Sequence, residues 1–310
     1  EFYDLGLGEP FPISCEQSKG LGEVLDAVVA NFKERNLDDE QGDRIKIAIV
    51  GRPNVGKSSI TNRILGEDRV VVSDVAGTTR DAIETDFNFN GQKYTLIDTA
   101  GLRRKRAVEN ETVESYSVIR SMEAIKRADV VLIVFDSSEE ISEQDVRIAG
   151  YAHEEGKPSV VVMNKWDKVN NKDGGTINKY LNDLKLKLSF MDYFIPVFTS
   201  ATTGKRLPEV IEKVNVAYNN ANRRITTGNL NELLASAVLS NEPPYRNGRK
   251  LKIQYITQVQ VAPPTFILFV NDASLMHFSY LRYLENRFRD AVDFSGTPIK
   301  FITRSKDEKE

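Results

Sequence analysis

"IKIAIVGRPNVGKS" occupies Ile45 to Ser58. Its first six residues form a short, mostly apolar run that ends in Gly51, the pattern of a buried strand. The next eight, "GRPNVGKS", hold two glycines with four residues between them, followed by Lys57-Ser58. That is the P-loop pattern, and it lies between a strand and a segment with helical spacing, the setting the motif requires. Gly51 and Gly56 let backbone N–H groups curl around a phosphate, and the start of the helix adds partial positive charge. The residues that would touch the phosphates are Asn54, Val55, Gly56, Lys57, Ser58 and Ser59. Lys57 would reach the outer phosphates and Ser58 would ligate Mg2+.

Working outward, four further runs repeat the form of the first. They are "KYTLIDTAG" (93–101), "ADVVLIVFDSS" (128–138), "KPSVVVMNKWD" (157–167) and "FIPVFTSA" (194–201). Helical spacing falls between them, at 57–65, 112–127, 143–154, 176–189 and 207–219. Strands alternating with helices predict an α/β fold with a mostly parallel sheet and helices on both faces. Such sheets bind ligands at the carboxyl ends of their strands, and each run here ends in polar residues suited to that task.

A P-loop does not choose between adenine and guanine; the other strand ends do. "DTAG" offers Asp98, placed to support Mg2+ through water, and Gly101, whose N–H can sense a γ-phosphate. "NKWD" offers Asn164 and Asp167, able to hydrogen-bond guanine edges. The Asp167 carboxylate would accept from the ring N–H and the exocyclic amine that adenine lacks. The aliphatic stem of Lys165 can lie along the base, and Trp166 reads as packing. "SA" offers Ser200 and Ala201, where a backbone N–H can read the guanine carbonyl. Between the P-loop and DTAG lies "GTTRD" (77–81), where a threonine would bind Mg2+ only while the γ-phosphate is present. Thr79 is the expected ligand and Thr78 competes with it. Lys57, Thr79 and Gly101 are thus the residues placed nearest the chemistry, and Ser58, Thr79 and Asp98 form the expected magnesium set.

The order of elements changes after Asn222. A helix over 229–240, with Asn229 as its N-cap, precedes alternating segments at 250–261 and 265–271, separated by Pro263-Pro264. A helix over 278–292 and a strand over 298–304 follow. This α-β-β-α-β order predicts a small α+β domain with helices on one face of a three-stranded sheet. Phe266, Phe269, Phe278, Tyr280, Tyr283 and Phe288 read as its core rather than as a stacking platform. His153 and His277 lie near no metal-spaced cluster and read as structural.

The chain has 310 residues, 40% apolar and 28% charged, with a net charge of −3 and one cysteine, Cys15. That balance predicts a soluble globular protein with roughly two domains. It fits a reducing compartment and predicts no general polyanion surface. The longest uninterrupted apolar run is Val130–Phe135, far short of the about 20 residues a membrane helix needs. The first residue is not Met, so a fragment is one reading. Two clusters of positive charge stand out. Leu102–Arg106, "LRRKR", directly follows DTAG and reads either as a nucleotide-controlled contact for RNA or protein or as a solvated loop. Arg246, Arg249, Lys250 and Lys252 read as surface charge.

With these motifs in view, the block 44–222 resembles a G domain of the Era-like branch. A second observation narrows the resemblance. "PISCEQSKGLGEVLDAV" (12–28) aligns without a gap on "FTSATTGKRLPEVIEKV" (198–214), so the chain carries one ending twice. It is similar to the EngA family, also called Der, of bacterial GTPases with two consecutive G domains and a C-terminal KH-like domain. The resemblance implies that 1–32 is the end of a first G domain, with Ser14-Cys15 matching its last base-contact motif. Residues 33–43 then form an acidic linker, 44–222 a second G domain, 223–305 the KH-like domain and 306–310 a tail. It implies GTP and GDP as ligands, Mg2+, and a potassium ion held by Asn54 in place of an arginine finger. It also implies a slow intrinsic rate, because Leu102 stands where Ras-like enzymes carry glutamine. The implied partners are the large ribosomal subunit and its rRNA, with contact between G and KH-like domains, no membrane, a cytoplasmic location and a monomeric state. The C-terminal block has no G-x-x-G, so the usual KH grip on RNA is not expected. A tRNA-modification GTPase and a non-catalytic nucleotide-gated adaptor are the rival readings.

Overall fold

Residues 44–66, 70–72, 84–97, 113–170, 172–243, 245–246 and 248–305 are described by a computed structural model. The chain divides into two compact units, Glu1–Arg44 and Ile45–Glu310. The first, the expected linker and the tail lie outside the described residues, apart from Arg44.

Within the second unit a seven-stranded sheet has the order β2-β3-β4-β1-β5-β6-β7. Its strands are β1 (Arg44–Val50), β2 (Val70–Val72), β3 (Thr85–Phe89), β4 (Gln92–Ile97), β5 (Val130–Asp136), β6 (Ser159–Asn164) and β7 (Ile195–Phe198). β1, β5, β6 and β7 run parallel, Asp136 facing Asn164 at the strand ends. β2, β3 and β4 pair antiparallel.

The helices of this block are α1 (Lys57–Leu65), α2 (Val113–Arg127), α3 (Glu143–Glu154), α4 (Thr176–Lys187) and α5 (Leu207–Ala221). Strand β5 explains why they cover both faces. All seven of its residues are buried, and alternate ones belong to different cores. Val130, Leu132 and Val134 pack with Ile60, Ile64, Val210 and Val214 of α1 and α5. Val131, Ile133 and Phe135 pack with Ile125, Ile148 and Leu184 of α2, α3 and α4. A strand apolar on both sides can only be satisfied in a covered parallel sheet.

The C-terminal block contains α6 (Thr227–Ser240), a short hairpin of β8 (Tyr245–Arg246) and β9 (Arg249–Lys250), then β10 (Ile253–Gln260), β11 (Thr265–Val270), α7 (Phe278–Ala291) and β12 (Lys300–Ser305). β10 pairs antiparallel with β11, and β11 parallel with β12. Leu230, Leu234, Leu284 and Phe288 of the helices pack on Ile256, Phe266 and Leu268 of one sheet face.

Three expectations change here. The N-cap of α6 is Thr226, whose hydroxyl accepts from the Asn229 N–H at 3.4 Å, so the helix begins one turn earlier. The segment 250–261 is not one strand. Leu251 turns inward, and Asn271 holds the kink with its Oδ1 on the Lys252 N–H (2.8 Å) and its amide on the Lys250 carbonyl (3.0 Å). Phe278, the first residue of α7, is 73% exposed rather than core. The second basic cluster is partly neutralised, Arg249 by Asp272 (2.8 Å) and Lys250 by Glu242 (2.5 Å).

The two blocks meet through the loop between α7 and β12, through the Ala262 N–H on the Ala221 carbonyl (2.9 Å) and through Arg289 of α7 over the Tyr193 ring. The Gly296 N–H donates to the Tyr193 carbonyl at 2.6 Å, and the Gly296 carbonyl accepts from the Ser159 N–H at 2.7 Å. Asn220 donates to the Ser295 carbonyl at 2.9 Å. His153 lies beside this junction, its Nδ1 3.1 Å from the Tyr193 hydroxyl, and burial lowers its pKa. His277 caps α7.

Candidate functional site

The phosphate end begins where β1 leaves the sheet. Gly51 has φ +151°, and a Cβ there would lie 2.4 Å from the Val134 carbonyl oxygen. Only glycine lets the chain turn this close to the neighbouring strand. Gly56 is the N-cap of α1, with φ 99°. No side chain caps this helix, and its first turn carries no acidic residue. A helix start with no side-chain cap and no acidic residue fits an anion. Lys57 folds back over the loop and donates to the Gly51 and Arg52 carbonyls at 2.6 and 2.7 Å. Asn54 is exposed at the tip of the loop with φ 66°, and Ser59 is exposed on the first turn. Ser58 is half-buried beside Lys57.

The loop is also held from outside. Arg52 donates to Glu139 at 2.5 Å. Its Nε lies 3.2 Å from Asp145 Oδ2, close enough for an ion pair, though Nε makes no hydrogen bond. Asp145 belongs to the capping box at the start of α3, where Ser142 and Asp145 bind each other's backbone N–H groups.

The base end is built on β6, β7 and the turns that follow. Asn164, 1% exposed, donates its amide to the Val55 carbonyl at 2.8 Å and accepts from the Ala201 N–H at 3.0 Å. One side chain therefore ties the P-loop to the loop after β7. The sequence assigned Asn164 to the base; the structure places part of its hydrogen-bonding capacity on this bracket. Gly56 packs against the same amide, and a Cβ there would fall 2.2 Å from Asn164 Nδ2.

Lys165 adopts a left-handed conformation with φ 59°. Its ammonium reaches back to the end of β5 and binds Asp136 Oδ2 at 2.5 Å. Burial pushes the Asp136 carboxyl up, but the Lys165 ammonium and the Ser138 hydroxyl and N–H outweigh it and hold its pKa below the usual aspartate value. Asp167 is exposed, with no hydrogen bond or ion pair to the described residues. Trp166 is buried against Tyr180 and Phe198, so it packs beneath the turn. Ser200 is buried, its hydroxyl accepting from the Thr203 N–H at 3.2 Å.

Asn54, Val55, Gly56, Lys57, Ser58, Ser59, Asn164, Lys165, Asp167, Ser200 and Ala201 thus gather at the carboxyl ends of β1, β6 and β7. Thr78, Thr79, Asp98, Gly101 and the run Leu102–Arg106 lie outside the described residues, as do Ser14 and Cys15. Among the described residues no cluster of histidine, cysteine or carboxylate has metal-holding geometry. Ser58, at an uncapped helix start beside Lys57, fits a phosphate-bound cation rather than a site made of protein ligands alone. Among the described residues no helix is long and apolar enough to cross a membrane. Sequence reading missed Arg52, Asp136 and Asp145. Asp136 did carry a signal, as the carboxylate that ends six apolar residues.

Known proteins resemble the chain across its whole length. A family described as the KH-domain-like region of EngA bacterial GTPase enzymes matches residues 224–304. A family described as 50S ribosome-binding GTPase matches residues 46–165. GTPase Der of Agathobacter rectalis is 51% identical over 310 residues, which is 100% of this chain and 70% of that protein. GTPase Der of Staphylococcus carnosus is 52% identical over 306 residues, 99% of this chain and 70% of that protein. Among solved structures, Era in complex with MgGDPNP and nucleotides 1506–1542 of 16S ribosomal RNA matches with a TM-score of 0.43 and 20% identity. That match covers 84% of this chain and 92% of that one, a superposition too loose to argue from.

Proposed function

We propose, because the chain belongs to the Der (EngA) family of GTPases, that it hydrolyses GTP to GDP and phosphate at this site, as a switch in large ribosomal subunit assembly. The observation that carries this reading is the Asn164 bracket, which ties the phosphate loop to the loop after β7, so that the P-loop and the base motifs share one end of the sheet. The exposed Asp167 carboxylate stands where it can accept from a guanine edge. The uncapped start of α1, with Lys57 beside it, receives the phosphates.

Mg2+, held by Ser58 with Thr79 and with Asp98 through water, would neutralise phosphate charge. Potassium at Asn54 would add positive charge where the transition state gains negative charge; the exposed loop-tip position of Asn54 suits that role. The intrinsic rate is slow, since no glutamine follows Gly101 to orient water. Division into 1–32, 33–43, 44–222, 223–305 and 306–310 belongs to the same reading, supported by the separate C-terminal core.

The first test compares GTP and XTP turnover for the wild type and Asp167→Asn, in potassium and in sodium. The wild type should prefer GTP and run faster in potassium, and the variant should prefer XTP. A variant that keeps its guanine preference sinks the base site; equal rates in the two salts sink the potassium role. The second is co-sedimentation with purified large ribosomal subunits, with a non-hydrolysable GTP analogue against GDP. Binding confined to the GTP-like state is expected, and equal binding in both states, or none, would remove the ribosomal switch.

A further inference from the structure

Asp136 does not belong to any of the phosphate or base motifs, yet its buried carboxylate is in direct contact with the base motif through Lys165. Its side chain is 3% exposed. It ends β5 directly opposite Asn164, so two adjacent strands place a buried acid and the first base-motif residue side by side. Oδ1 accepts from the Ser138 N–H at 2.9 Å and from the Ser138 hydroxyl at 2.6 Å. Oδ2 accepts from Lys165 Nζ at 2.5 Å. A buried carboxylate without partners costs several kcal/mol, so these contacts explain how it is tolerated. They do not explain why an acid stands there.

The Lys165 side chain supplies a reason. Its backbone is left-handed, and its side chain, 24% exposed, stretches from the turn after β6 to the end of β5. A lysine stem has four rotatable bonds and ordinarily keeps its ammonium in water. Anchoring the ammonium at Asp136 makes the stem run from the turn after β6 to the end of the neighbouring β5.

We propose that Asp136 is a positioning residue for the guanine site: its ion pair with Lys165 lays the lysine stem down as the floor on which the base rests, and so sets nucleotide affinity rather than the hydrolytic step. This rests on the guanine reading above.

The test is GDP affinity by calorimetry, with KM and kcat for GTP, in the wild type, Asp136→Asn, Lys165→Met, their double variant and Ser138→Ala. Asp136→Asn keeps the shape and both Ser138 contacts but loses the charge. It should raise the Kd and KM about tenfold, the scale of one charge-assisted hydrogen bond lost, with kcat at saturation moving less than twofold. Lys165→Met should give a similar loss, and the double variant should lose no more than either single one, because one interaction is being removed. Ser138→Ala removes the hydroxyl hydrogen bond to the same carboxylate, keeps the backbone one and leaves the lysine untouched, and should leave the Kd within twofold. If Asp136 served only to stabilise the fold, Ser138→Ala and Asp136→Asn would weaken binding alike, and the proposal would fall. It would fall too if Asp136→Asn bound as tightly as the wild type, or if the single losses added in full. Should Asp136→Asn not fold, Lys165→Met decides, and unchanged affinity there overturns the idea. Wild-type protein that bound no guanine nucleotide would overturn the guanine reading and this inference together; wild-type binding with an indifferent Asp136→Asn overturns this inference alone.

Discussion

Gly56 has two reasons to be glycine, and they act on different parts of the molecule. Its φ of 99° is a backbone conformation that a side chain strains. Its missing Cβ leaves room for the Asn164 amide, which would otherwise lie 2.2 Å away. Gly56→Ala should therefore break the Asn164 bracket as well as bend the phosphate loop. We expect a loss of about 2–3 kcal/mol in stability and GDP binding weakened more than tenfold, read by thermal unfolding and calorimetric titration. Gly150, in the middle of α3, is the control: a Cβ there meets nothing within 4 Å. Gly150→Ala should stabilise the protein by about 0.5–1 kcal/mol, as alanine does within a helix, and leave GDP binding unchanged. A Gly56→Ala protein as stable and as tight-binding as the wild type would show that the bracket does not constrain the loop.

At the scale of elements, the parallel sheet was legible because its strands are buried on both faces. A run such as Val130–Phe135 cannot be mistaken for a half-exposed strand, and the helices between such runs announce themselves by spacing; α1 and α3 begin and end where that spacing predicts. The antiparallel edge was not legible in the same way. β3 offers only Phe87 and Phe89 as buried apolar residues, and β2 is three residues long. A usable signal did exist. Asn90-Gly91 joins β3 to β4, both residues with positive φ, and an Asn-Gly pair between alternating apolar residues marks a two-residue hairpin. The site divides along the same line. Motif residues were found because each ends a strand in a distinctive short phrase. Arg52, Asp136 and Asp145 were not, because their roles come from pairing across elements as far as 93 positions apart in the case of Arg52 and Asp145, and no local pattern records such a pairing.

A loop that carries no catalytic motif helps to join the two blocks of the compact unit. Asp293–Thr297 enters the larger sheet at the amino ends of β6 and β7, through Ser159 and Tyr193, whereas the nucleotide residues stand at the carboxyl ends of the same strands. Gly296 has φ 78°, and a Cβ there would lie 2.6 Å from Ala217 Cβ and 2.8 Å from Ile195 Cδ1. A larger side chain cannot enter without displacing α5 or leaving the sheet edge, and leaving it would give up both backbone hydrogen bonds. The C-terminal block has its own core around Leu268 and Phe288, so it can survive release. Gly296→Val should thus convert one cooperative unfolding transition of Ile45–Glu310 into two, with rapid proteolytic cleavage appearing between the blocks. GDP affinity should stay within twofold, because the site lies at the opposite end of the strands. Loss of nucleotide binding together with the second transition would mean that the two ends of the sheet are coupled, and that the C-terminal block takes part in holding the nucleotide site rather than merely riding on it. A single unshifted transition would mean that the loop is not what joins the blocks.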